Sequence, residues 1–195
     1  MQNHGGYEIG SVPAEELTNY WVEGASENTN AMLNTYLTCI NASDRDLEYF
    51  INELRNIGRP VVLVFFGDHQ PSIATSLNDE LYPQEDTASH AFRVHQSTYF
   101  VWANYEIAGN NELNVYDTVG ANEIAAIALN KIGAPLTDYQ KALLATRSDV
   151  PSINVAGYLG ADGLRYDLES EDSPYTSTID KLQRVQYLEF ATKVQ

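Results

Sequence analysis

Val61-Val62-Leu63-Val64-Phe65-Phe66-Gly67-Asp68-His69-Gln70-Pro71 carries more of the fold than any other stretch of this chain. Six consecutive apolar residues, rich in Val and Phe, suit a strand buried on both faces of a parallel sheet. In such sheets ligands collect beyond the carboxyl ends of the strands. Asp68 and His69 stand at that end. A carboxylate beside an imidazole is a donor pair for a divalent metal. The plain alternative is a loop start in which Asp68 caps the next turn. Gly67 removes a side chain where the backbone turns or a ligand comes close.

Upstream, Leu33, Tyr36, Leu37 and Ile40 fall at i, i+3, i+4 and i+7, and Leu47, Phe50, Ile51 and Leu54 repeat the spacing. Both are amphipathic-helix signatures. The pattern runs to Ile57, where Gly58 and Pro60 close it. A helix feeding an apolar strand through a short link is an α/β unit. Residues 1–10 read as a polar, Gly-rich loop, and Pro13-Ala14-Glu15-Glu16-Leu17 as a short helix start. Downstream, residues 71–96 are polar and lack strong periodicity, which suits a functional lid or a partly helical loop. Residues 99–103 read as a second buried strand, followed by Asn104-Tyr105. A loop over 114–120 leads into a helix over 121–132, with Ile124, Ile127, Ala128 and Ile132 inward. Another helix is predicted over 137–146, with Leu143 and Leu144 inward. Residues 150–166 read as extended turns or a small hairpin, and Ile179, Leu182 and Val185 begin a last helix.

The chain has 195 residues, enough for one domain with a real core. Its 11 basic and 27 acidic residues give a net charge of −16. That disfavours nucleic acid, and none is expected as a partner, because such binding rests on Lys and Arg neutralising phosphates. A small anionic substrate stays open, since a bound metal reverses the local field. Cys39 is the only cysteine, which excludes disulfide scaffolds and Cys-rich zinc sites. No apolar run approaches the ~20 residues of a membrane span, and the chain itself is expected to be soluble.

Several segments then fall into one order: Asn3-His4-Gly5-Gly6-Tyr7, the helix with Phe50 and Leu54, Phe66-Gly67-Asp68-His69-Gln70-Pro71, Phe100-Val101-Trp102-Ala103-Asn104-Tyr105, Pro135-Leu136-Thr137-Asp138-Tyr139-Gln140-Lys141, and Leu182-Gln183-Arg184-Val185-Gln186-Tyr187. This order resembles the carboxyl-terminal part of the sulfatase-like domain of lipoteichoic acid synthase family proteins, bacterial phosphoglycerol transferases of the alkaline phosphatase superfamily. The resemblance implies a single domain over 1–195, an α/β/α sandwich with a mostly parallel sheet. It implies that Asp68 and His69 are metal ligands and that His4 is a catalytic and substrate-binding residue contacting the phosphate. For Trp102, Asn104 and Tyr105 it carries structural placement only. Thr98-Tyr99 departs from the Thr-Pro common in the family.

The resemblance further implies an acidic metal ligand and a threonine nucleophile upstream of His4, so the chain reads as the second half of a catalytic domain, inactive alone. The cofactor implied is manganese, with magnesium, zinc or calcium as alternatives. Asp68 and His69 supply two of the ~4 to 6 ligands such an ion wants, so weak or absent binding by the isolated chain is expected. The implied substrate is a phosphoglycerol lipid head group or a glycan polymer, at the extracellular face of the cell membrane, with the parent held there by upstream helices. Two enzyme alternatives share the fold, a sulfatase and a phosphonate-ester hydrolase. A non-catalytic module binding cell wall or a partner is the alternative of another class. A homodimer through an exposed sheet edge is also expected. His90 and His95 sit on the polar segment after the ligands, and loop histidines without a role are the commoner reading.

Overall fold

Ser26 opens the longest element of the computed structural model, which describes residues 5–108 and 118–191. The contacts divide the chain into two compact units, Met1–Asn104 and Tyr105–Gln195. In the first, helix α1 (Glu27–Arg55) precedes strand β1 (Val62–Phe66), helices α2 (Ser72–Leu81) and α3 (Thr87–Val94), and strand β2 (Tyr99–Ala103). The Ser26 hydroxyl accepts from the Thr29 amide at 3.2 Å and caps α1. Glu80 of α2 reinforces that end, accepting from the Ser26 amide at 2.6 Å and the Thr29 hydroxyl at 2.7 Å. These two donors, the amide foremost, hold its carboxyl below the usual carboxylate range, and its charge sits at the positive end of the helix dipole.

A strap over residues 18–22 runs along α1 in the opposite direction. The Thr18 amide donates to Thr38 Oγ1 at 3.0 Å, the Tyr20 amide to Asn34 Oδ1 at 2.8 Å and the Val22 amide to Asn30 Oδ1 at 2.8 Å. Asn34 and Asn30 return bonds to the Tyr20 and Val22 carbonyls. The two periods match: an extended chain advances about 6.6 Å in two residues, and a helix about 6 Å in four.

β1 and β2 pair antiparallel, with Val62 opposite Ala103 and Phe66 opposite Tyr99. The parallel sheet expected from the apolar run is therefore corrected: both sheets among the described residues are antiparallel. The reason lies in the connection. Two helices, not one, stand between the strands, and the chain re-enters beside the point where it left, with the Gly67 amide donating to the Thr98 carbonyl at 3.0 Å. A parallel crossover would have to return to the other end. Nor is β1 buried on both faces, since Phe66 is 57% exposed. Phe65 stacks on its cross-strand neighbour Phe100 at 5.1 Å. The expected short helix at Pro13 is a turn, and the polar segment after Pro71 is largely helical.

The second unit holds a 3-10 turn (Ala121–Glu123), helices α4 (Ile124–Lys131) and α5 (Asp138–Thr146), strands β3 (Ser152–Asn154), β4 (Gly157–Leu159) and β5 (Arg165–Tyr166), and helix α6 (Thr176–Ala191). Part of the predicted loop over 114–120 lies outside the described residues. Thr137 and Gln140 form a capping box at the start of α5. Val150, Tyr158 and Ile179 make the core, with Ile153, Tyr166 and Tyr175 packed against it. Gly157 is required at the β3–β4 turn, because its φ is +135° and a Cβ there would lie 2.2 Å from the Tyr166 carbonyl oxygen.

The Tyr166 hydroxyl donates to Asp162 Oδ2 at 2.7 Å. That bond, with burial second, pushes the phenol up to about 12. Because the folded value exceeds the ordinary ~10, the stabilisation is complete below pH ~10 and is lost as pH rises through about 12. In ultraviolet titrations, the difference between the native chain and Tyr166→Phe should show one tyrosine ionising near 12. Asp162→Asn should move that tyrosine back toward 10. An unmoved tyrosine would show that Asp162 does not hold the proton.

Candidate functional site

The β1–β2 ribbon delivers Asp68 and His69 to its open end. Gly67 continues the ladder by one bond before the chain turns, and a Cβ there would lie 2.0 Å from the Ser97 hydroxyl, so the two segments meet closely at the base of the site. At the opposite end Asn104 fastens the ribbon. Its Oδ1 accepts from the Val61 amide at 2.9 Å, and its Nδ2 donates to the Leu54 and Arg59 carbonyls at 3.1 and 3.0 Å. Asn104 thus ties β1, β2 and the end of α1 together, a structural part that its place after the strand did not disclose.

Asp68 and His69 project into solvent, with side chains 83% and 64% exposed. His69 Nδ1 lies 2.8 Å from the Gln70 carbonyl oxygen. A carbonyl only accepts, so Nδ1 carries a proton, and in the neutral form of the ring the lone pair lies at Nε2. Nε2 stands 3.6 Å from Asp68 Oδ2. The contacts therefore place a carboxylate oxygen and the second imidazole nitrogen side by side. That donor set fits one side of a divalent-cation site, and the Nδ1–carbonyl bond is the outer contact expected of a ligating histidine. Among the described residues, no group of three His, Cys, Asp or Glu could hold a metal ion.

His90 and His95 bond elsewhere than to the Asp68–His69 pair. His90 Nε2 meets Asp79 Oδ1 at 3.0 Å, linking α3 to α2, and His95 Nδ1 bonds the Ala91 carbonyl at 2.6 Å at the end of α3. Both histidines serve helix ends and helix pairing. His4 lies outside the described residues. The neighbouring segment is anchored: Gly5 and Gly6 adopt positive φ, and Tyr7 is buried edge-on against Tyr36 of α1 at 5.0 Å. Burial foremost, then Tyr7, raises the Tyr36 phenol above its ordinary range.

The sulfatase family model matches residues 1–127, which include His4, Asp68, His69 and Asn104. The chain belongs to the sulfatase family. Among solved structures, the Streptococcus pyogenes phosphoglycerol transferase GacH in complex with sn-glycerol-1-phosphate matches with a TM-score of 0.56 and 21% identity, over 85% of this chain and 36% of that one. At that identity the likeness is one of fold, and the chain spans about a third of the length of that protein. A search of curated proteins gave no match. The sulfatase match and this fold together bear out the resemblance to lipoteichoic acid synthase-like sulfatase domains, within the alkaline phosphatase superfamily. No helix of the described residues is long and apolar enough to cross a membrane.

Proposed function

We propose that this sulfatase-family chain is the carboxyl-terminal part of a metal-dependent phosphoglycerol transferase or phosphodiesterase acting on phosphatidylglycerol-type lipids at the extracellular face of a cell membrane. The observation that carries the reading is the Asp68–His69 pair, its Nε2 and Oδ2 side by side at the end of β1. Asp68 and His69 would hold a divalent cation, manganese first among the candidates. When bound, such an ion supplies charge that activates a hydroxyl nucleophile and offsets the negative phosphoryl oxygens. His4 would bind a phosphate oxygen or give a proton to the leaving oxygen. The nucleophile, a threonine by family resemblance, would come from sequence upstream of His4.

The test is release of glycerol phosphate from a fluorescent phosphatidylglycerol, with and without manganese, by this chain and by a longer form of the gene product. Activity is expected in the longer form only. Asp68→Ala should lower it about 100-fold or more, the loss of several kcal/mol of charge stabilisation. The sulfatase model match favours a second reading, a sulfate-ester hydrolase. Aryl sulfate turnover without lipid turnover would select it. Activity on neither ester, nor on phosphonates, would move the chain to a binding role.

A further inference from the structure

Gln70 follows the two proposed ligands, and its side chain does not face solvent alone. Its Nε2 donates to the Arg93 carbonyl of α3 at 2.7 Å, and its Oε1 accepts from Asn78 Nδ2 of α2 at 3.3 Å. Arg93 is itself held. The Arg93 guanidinium grips both carboxylate oxygens of Glu85, with Nε at 3.1 and 3.0 Å and Nη2 at 2.5 Å, and lies 3.7 Å over the Tyr82 ring. The Glu85 side chain is nearly buried. A planar fork on a carboxylate, stacked on an aromatic face, is a rigid support.

The main chain of Gln70 is constrained from the other side. Pro71 disfavours helical backbone in the residue before it, Gln70, and so narrows the range open to it. With its side chain anchored in the α2–α3 pair, the direction of the Gln70 carbonyl is set. That carbonyl receives the Nδ1 proton of His69.

We infer that Gln70 is the positioning residue of the Asp68–His69 pair: by tying the loop to α2 and α3, it aims the carbonyl that holds His69 by its Nδ1 proton, with Nε2 beside Asp68. Gln70 touches no reacting atom. It acts through His69, as an outer contact that fixes tautomer and ring orientation, and loss of such a contact weakens metal binding or activity by about 10- to 100-fold. The inference rests on the metal reading only for its use, not for its geometry.

The experiment is nitrogen-15 NMR of the His69 ring in the full 195-residue chain above the pH of imidazole protonation, followed by titration with Mn2+ alone. Gln70→Met keeps the length of the side chain and removes both bonds. Asp79→Ala is the control, cutting the His90 bridge between the same helices without touching the loop. The native chain should show His69 protonated at Nδ1. Gln70→Met should give a mixture of tautomers and require about tenfold more Mn2+ for equal broadening of the Asp68 and His69 signals. Asp79→Ala should leave the tautomer and the Mn2+ response unchanged. An unmoved tautomer in Gln70→Met overturns the inference, as does an equal change in Asp79→Ala, which would trace the effect to helix pairing. If Mn2+ leaves the native Asp68 and His69 signals sharp, the pair alone does not hold the ion, the absent binding expected of the isolated chain. The tautomer comparison then decides the positioning role alone.

Discussion

Arg147→Met should lower the folding stability of the chain by about 3 kcal/mol, measured by urea unfolding at neutral pH. Glu123 ends the 3-10 turn before α4, and its side chain is 1% exposed. Its Oε2 lies 3.2 Å from Nε of Arg147, the residue that caps α5. Removing one partner of a buried pair leaves the other charge buried without its counter-charge, at a cost of roughly 3–5 kcal/mol. Arg147 still reaches water, which places the expectation at the lower end. The paired replacement Glu123→Gln with Arg147→Met removes the stranded charge, so it should recover at least half of the loss. A single variant that loses less than about 1 kcal/mol would mean that solvent already screens the pair.

Where hydrophobic period was the signal, the sequence could be read. Leu33 to Leu54 mark α1 and Leu143 marks the inner face of α5, although Leu54 alone of the α1 repeat is buried while Ile40 and Phe50 are exposed, and the helix ends at Arg55 with Asn56 as its cap, ahead of Gly58 and Pro60. Strand direction leaves no such repeat. Residues 61–66 read alike for a parallel or an antiparallel partner. What decides between them is whether the intervening chain comes back to the same end, and that was hidden in a segment whose helices are short. Ile73, Leu77 and Leu81 do stand four apart, but only Ile73 of α2 is fully buried, so the apolar signal was thin.

The proposed site was legible in its two candidate donors and not in their supports. Gly-Asp-His after an apolar run names the donors by chemistry alone. Gln70, Asn78 and Arg93 are joined by bonds between side chains and main chain across as many as 23 positions, and neither composition nor period encodes them. Asn104 is similar: an asparagine after a strand reads as loop, yet its amide spans β1 and the α1 terminus. His90 and His95 show the converse, since histidines near a ligand motif turned out to bond within their own helix pair.

The strap on α1 carries the second large expectation. Polar residues at four-residue spacing on a helix normally mark a solvated face, but Asn30 is 2% exposed. Its Nδ2 donates to the carbonyls of Val22, Ala25 and Ser26 at 3.2, 3.1 and 3.1 Å, while its Oδ1 takes the Val22 amide. Asn30→Ala deletes these bonds, worth about 1 kcal/mol each in net terms, and strands main-chain groups whose desolvation costs about 1–3 kcal/mol more. A loss of about 3 kcal/mol is expected, with faster hydrogen exchange at the Val22 amide. Asn30→Asp keeps the acceptor, cannot donate and adds a buried charge, so it should be no better than alanine. Asn34→Ala removes comparable bonds to exposed Tyr20, where water can replace the lost partners, and should cost nearer 1 kcal/mol. Equal losses at positions 30 and 34 would mean that burial does not set the strength of the strap, and that its hold comes from the ladder of matched spacings as a whole.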